Sequence, residues 1–398
     1  TNLKSLEMKA MKKKLCVLLS CAVLLAGVLT GCGKGSGAAG GKEPVKIGLL
    51  YSLSGVTSVS EKQLYNGTKL AIDELNAGGG IGGRKIETVF ADYASDPARA
   101  ADKARKLILD DKVTAIVGTC SSAARQAVKP VVEQYRSLLI YPQSYEGQEK
   151  SNNIVYTGCI PNQQAEIFVN WLLGKGYRKF FLIGCDFIYP QVENKLAKEY
   201  LAKGGGTVVG EEYVPYGSTD FSSVLNKIKK SEPDVIYSEL TGDSNVAFYK
   251  QYNAYGLPAT VASLTTNETV LKSIGAQAGA GSFICVDYFK NVKNPENEAF
   301  VKKYTSTFHD GTLPTYAVMG GYNAGKFLGA ALKKAADPQD TAQVTAAFKE
   351  LKMKSPSGEI SIDGSNNHTR LYCRIAKVDE RGEAQVIYES PKPIDPKP

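Results

Sequence analysis

From residue 45 to residue 263 the chain alternates short apolar runs with amphipathic stretches, and no other feature constrains its fold as tightly. Apolar runs at 45–51, 85–91, 114–117 and 138–141 predict strands. Between them, 61–77 carries Leu64, Ala71, Ile72 and Leu75 at helical spacing, 96–109 opens on an Asp96 cap followed by Pro97, and 122–135 reads as a third helix. The rhythm restarts after Pro161, with helices expected at 164–174, 192–202, 221–230 and 245–255 and strands at 179–184, 207–213, 234–240 and 259–263. Strands alternating with helices argue for parallel sheets covered on both faces. Residues 295–352 read as mostly helical, and strands return at 371–378 and 384–388. The expectation is an α/β protein of two doubly wound, Rossmann-like lobes whose chain crosses between them more than once. The carboxyl ends of the strands would then line the cleft, where ligands bind in such sheets.

The N-terminal segment has a different character. Lys12, Lys13 and Lys14 precede an uncharged run over 15–30 that ends at Gly31-Cys32. A basic end, a short apolar core and small residues at a cut site describe a secretory signal over 1–31, with Met8 or Met11 as initiator. The run is shorter than the ~20 residues a membrane span needs. The cysteine after the cut resembles the lipobox of bacterial lipoproteins, which implies acylation of Cys32. Residues 32–44 then form a flexible, lipid-anchored tether, GKGSGAAGGKEP after the cysteine, with a reach on the order of 20 Å. Its nominal glycine fingerprint at Gly35, Gly37 and Gly40 does not sit between a strand and a helix, and that at Gly78, Gly80 and Gly83 follows a helix, so both read as decoys. Within this scheme one lobe takes 45–159 plus 288–357 and the other 160–287 plus 358–398.

Composition removes several classes of function. The formal charge of +8 falls to +4 once 1–31 are cut away, which leaves no electrostatic footprint for nucleic acid. Cys120, Cys159, Cys185, Cys285 and Cys373 are far apart, odd in number and lack any CxxC spacing, so small buried thiols are expected rather than a disulfide or a metal site. There are two histidines, His309 and His368, and His368 falls in the polar stretch SNNHTR, which suggests the surface. No nucleophile elbow, phosphate loop or paired metal-ligand spacing occurs. No catalytic residue, cofactor or metal is therefore expected, and the chain reads as a binder rather than an enzyme.

The loops after the predicted strands carry the polar and aromatic groups a small ligand needs. Ser121 and Ser122 begin a helix, where hydroxyls and free backbone N–H groups suit an oxygen of the ligand, although N-capping alone also accounts for them. The run from Tyr141 to Gly147 offers Gln143, Ser144, Tyr145 and Glu146, and Phe187 and Tyr189 add aromatic surface. Thr241 and Asp243, then Thr265, Thr266 and Glu268, follow two further strands, and Asp287 is another acidic candidate.

IGLLYSLSG (47–55), NAGGGIGGRKIE (76–87), ASDPARAADKARKLI (94–108), RQAVKPVVE (125–133), YPQSYEGQE (141–149), YTGCIPNQQ (156–164), GDSNVAFYKQ (242–251), ASLTTNE (262–268), NNHTRLYCRIAKVDERG (366–382) and ESPKPIDP (389–396) together resemble the extracytoplasmic receptors of ABC importers in the branched-chain amino-acid and amide group. The YEG and SPKPI elements are similar to its urea- and short-chain-amide-binding branch. The resemblance implies a type I periplasmic-binding fold with three hinge crossings. It also implies capture of urea or a short amide between the lobes and delivery to a permease driven by an ATPase. Carried over by position, Ser122 would hold the ligand through its hydroxyl and Tyr141 would close one wall, with Gln143 and Tyr145 in the same loop. Phe187 stands where the branch has tyrosine, and Cys120 where an aromatic is usual. A zwitterionic amino acid would need a fixed carboxylate, for which Glu268 is the candidate, so an amino-acid receptor is the nearest alternative. A cytoplasmic amide sensor and an extracellular amide hydrolase are the others.

Overall fold

The computed structural model describes residues 42–349 and 351–398. The expected signal, Cys32 and the tether through residue 41 lie outside the described residues. Among the described residues, fifteen strands divide between two sheets. The first holds β1 (Val45–Tyr51), β2 (Ile86–Asp92), β3 (Ala115–Gly118), β4 (Leu139–Tyr141) and β5 (Ile154–Tyr156). The second holds β6 (Lys179–Cys185), β7 (Thr207–Val214), β8 (Val235–Glu239), β9 (Thr260–Ser263) and β10 (Phe283–Val286). The chain then returns to the first sheet with β11 (Lys352–Ser355), β12 (Gly358–Asp363) and β13 (His368–Arg370), and finishes in the second with β14 (Arg374–Val378) and β15 (Ala384–Glu389).

Strand order is β11-β12-β13-β5-β4-β3-β1-β2 in one sheet and β15-β14-β10-β9-β8-β6-β7 in the other. The doubly wound cores are parallel, and the late arrivals β11–β12–β13 and β14–β15 add antiparallel edges. β1 is buried along nearly its whole length, as a central parallel strand must be. Asp96 caps the Pro97–Leu109 helix, its carboxylate accepting from the N–H groups of Ala98 and Arg99. Residues 78–84 form the turn expected of the second glycine decoy, closed by an Ile81–Arg84 bridge.

Three crossings connect the lobes: β5 to β6, β10 to β11, and β13 to β14. One expected boundary needs correction. Residues 358–370 pair in the first sheet, not with the second lobe, because His368 joins the free edge of β5 at Tyr156. The stretch 295–352 resolves into helices Pro295–Thr307, Tyr316–Lys334 and Thr341–Ala347. The middle one packs on the Ser58–Ala77 helix, where Thr68 Oγ1 donates to the Gly321 carbonyl at 3.1 Å, and this fixes it to the first lobe.

Candidate functional site

A cavity of about 270 Å³ lies between the carboxyl ends of the two parallel cores. From the first lobe, Thr57 and Ser60 at the start of a helix, Ser95, Cys120 and Ser121 after β3, and Gln143 and Ser144 after β4 line it. From the second come Phe187, Ile188 and Tyr189 after β6, Tyr216 after β7, Thr241 after β8, and Leu264 and Thr265 after β9. Tyr316, at the start of a long helix, closes one side. No ionisable acid or base other than cysteine and tyrosine is among the lining residues. Gln143 Oε1 is buried without a hydrogen-bond partner among the described residues.

The loop that presents Gln143 is pinned from two sides. A Cβ on Gly158 would stand 2.2 Å from the Gln143 carbonyl, and one on Gly320 would stand 2.4 Å from the Pro142 oxygen. Only glycine allows such an approach. Beneath the loop, the buried Arg125 guanidinium donates to Glu146 Oε1 at 2.9 Å and to Glu149 Oε1 at 3.2 Å, and lies over the rings of Tyr145 and Tyr141 at 4.2 and 5.0 Å. These carboxylates hold it firmly charged despite its burial. The Tyr141 hydroxyl donates to the Cys120 carbonyl at 2.6 Å and so ties the β4 loop to the β3 loop.

Of the residues singled out from the sequence, Ser121, Gln143, Phe187, Tyr189 and Thr241 meet at the cavity. Cys120, Ser144 and Thr265 line it too, and the remaining candidates are placed elsewhere. The Ser122 hydroxyl donates to Glu146 Oε2 at 2.6 Å, inside the Arg125 network. Tyr141 and Tyr145 are buried behind the loop. Thr266 turns inward to Ser263 Oγ at 2.8 Å, leaving Thr265 at the cavity. Glu268 accepts from the Lys290 N–H at 2.8 Å and lines a separate cavity; burial pushes its carboxyl up to about 7. Asp287 is buried near Arg374, and desolvation pushes it up to about 6. Asp243 is exposed, in a smaller adjoining cavity that shares Ser60, Gln143, Thr241, Thr265 and Tyr316 with the main one.

His368 is buried rather than at the surface. Its Nδ1 lies 2.7 Å from the Asn366 carbonyl, which can only accept, so Nδ1 carries the proton and Nε2 accepts from the Tyr145 hydroxyl at 2.6 Å. Its ring stacks on Tyr156 at 4.1 Å between centroids, and burial pushes its pKa down to about 4. Sequence reasoning missed Thr57, Ser60, Ser95, Tyr216 and Tyr316. Tyr216 was within reach, since it follows a strand at its carboxyl end; Tyr316 begins a helix and carries no such signal.

The family model for the periplasmic binding protein domain matches residues 45–398, and the chain belongs to that family. Among curated relatives it is 25% identical over 351 residues to "Leu/Ile/Val-binding protein homolog 6" of Brucella melitensis, covering 84% of this chain and 88% of that one. It is 26% identical to the "Leu/Ile/Val-binding protein BraC3" of Rhizobium johnstonii, over 77% of this chain and 84% of that protein. Among solved structures, a solute binding protein of an ABC transporter from Rhodopseudomonas palustris, in complex with 3,4-dihydroxybenzoic acid, superposes with a TM-score of 0.81 at 27% identity, covering 89% of this chain and 98% of that one. The fold is thus the type I periplasmic-binding fold.

Proposed function

We propose that this chain is the solute-binding receptor of an ABC importer and that its solute is small and uncharged, urea or a short-chain amide. One observation carries the choice of solute: the cavity offers hydroxyls, aromatic faces and an unpartnered buried amide oxygen on Gln143, with no ionised side chain on its walls. An amide N–H satisfies that oxygen. Against the walls of the main cavity an ammonium group would meet no countercharge, and a buried unpaired charge is costly. Glu268, the carboxylate reserved for an amino acid, is committed to Lys290 and faces away.

Membership of the family supports a position outside the cytoplasmic membrane, and acylated Cys32 would hold the protein there. Closure of the lobes about the three crossings would accompany capture, and the closed form would dock on the permease. Calorimetry with urea, acetamide, leucine and 3,4-dihydroxybenzoate tests the solute. Heat with urea or acetamide alone supports the reading, and tight leucine binding with both amides silent overturns it. Loss of palmitate labelling in Cys32→Ser tests the anchor.

A second reading is an amino-acid receptor. Asp243 favours it, because it stands in the adjoining cavity where an ammonium group could reach it, and the names of the relatives lean the same way. Asp243→Asn would abolish leucine binding in that case and leave urea binding unchanged in ours.

A further inference from the structure

Cys285 and Cys373 meet within the second sheet, Sγ to Sγ 3.5 Å apart. Cys285 lies in β10, and Cys373 immediately precedes β14, its antiparallel neighbour. Both backbones are held in place. Gln164 Nε2 donates to the carbonyls of Cys285 and Leu264, and Cys373 exchanges hydrogen bonds with Ser390, its N–H to Oγ at 3.1 Å and its carbonyl from the Ser390 N–H at 2.9 Å. Rotation about the two Cα–Cβ bonds is then the motion left to bring the sulfurs to the ~2.05 Å of a bond.

We propose that Cys285 and Cys373 are a disulfide site, oxidised as the protein folds outside the cytoplasm; the compartment, but not the pairing, rests on the function proposed above. Both S–H bonds break and one S–S bond forms. The two protons and two electrons pass to the disulfide of a thiol oxidase or of a small-molecule disulfide, which is reduced to two thiols. The timing follows from burial. Cys285 is 0% and Cys373 1% exposed, so no oxidant reaches them once β14 has docked. Burial and the neighbouring thiol also push the Cys285 thiol well up, which makes the reactive thiolate scarce in the folded protein. The bond would close a ring between positions 88 residues apart, enclosing the second crossing, the excursion through β11, β12 and β13, and the third crossing. It would thereby fasten two of the three hinge strands together on the side of the second lobe.

A chain starting at Gly33 has five cysteines and allows a direct count. Protein purified from the periplasm of a bacterial host, and protein refolded from denaturant with oxidised glutathione, are denatured without reductant and alkylated with iodoacetamide. We expect three labelled thiols, a Cys285–Cys373 cross-linked peptide in the non-reducing digest, and a thermal midpoint that drops on adding reductant. Cys285→Ala and Cys373→Ala should each show four labelled thiols and no response to reductant. Five labelled thiols after oxidative refolding, or a cross-link through Cys159, would overturn the proposal without touching the assigned solute. Three labels on refolding but five in the periplasmic sample would uphold the pairing and count against the compartment.

Discussion

The hydroxyl of Ser122 donates to the carboxylate of Glu146 at 2.6 Å, and Arg125 Nη1 approaches the same oxygen of Ser122 at 3.3 Å. A serine placed to greet a ligand is thus employed in holding a buried ion pair. Its neighbour Ser121, one residue earlier, faces the cavity.

That difference separates two variants. Ser122→Ala removes a donor from a buried carboxylate and should lower stability by about 1–2 kcal/mol, with a smaller loss of affinity than Ser121→Ala. Urea denaturation and calorimetry on both proteins make the comparison. A loss of affinity in Ser122→Ala larger than its loss of stability would return that hydroxyl to the ligand.

Gln143→Leu keeps the bulk of the side chain and deletes the amide. The unpartnered Oε1 is the acceptor assigned to the solute, so affinity for urea or acetamide should fall roughly fivefold, in line with ~1 kcal/mol for one hydrogen bond. Gly158→Ala should weaken binding as well, since its methyl group would displace the Gln143 backbone. Equal affinities by titration calorimetry would remove Gln143 from the site.

Arg125→Met takes the cation from between Glu146 and Glu149 while retaining the apolar stem. Removing one partner of a buried ion pair typically costs 3–5 kcal/mol, because the remaining charge is left uncompensated. The denaturation midpoint should drop accordingly. A loss below 1 kcal/mol would mean that water reaches the two carboxylates.

His368 gives the protein an acid limb. Its folded pKa of about 4 lies below the ordinary 6.5, so between those values the unfolded chain binds more protons than the folded one. Its contribution is complete above pH 6.5 and is lost as pH falls toward 4, up to about 3 kcal/mol in all. His368→Gln should flatten the loss of stability between pH 7 and pH 4.5 relative to the parent. Glu61, pushed up to about 7 by burial, and the raised Asp287 and Glu268 act in the opposite sense, but they are common to both proteins and cancel in the difference. Parallel profiles would mean that His368 is already charged in the fold.

Much of the parallel core was readable because its signals are local. β1 is a continuous apolar run, and the Asp96–Pro97 pair marks a helix start by its own chemistry. The strands that escaped notice, β5, β10 and β11 to β13, are three to six residues long and owe their existence to remote partners. Thr369 Oγ1, for example, donates to the Tyr156 carbonyl across 213 residues of chain. The site divides in the same way. Proximity to a strand end picked out Ser121, Gln143, Phe187, Tyr189 and Thr241. It could not say which of two adjacent residues faces the cleft, since each step along a helix turns a side chain by ~100°. Nor could it locate His368, whose polar surroundings in sequence close over it as β13 docks on β5.

Among the described residues the cavity walls carry no carboxylate, lysine, arginine or histidine, and this reaches beyond selectivity. A neutral solute of the kind proposed above carries no net charge for the protein's field to steer, so its encounter would be governed by ordinary diffusion into the cleft. Added salt screens such fields over a Debye length of ~10 Å at 0.1 M and has nothing here to screen. Uptake through this protein should therefore hold the same pace in fresh and saline surroundings.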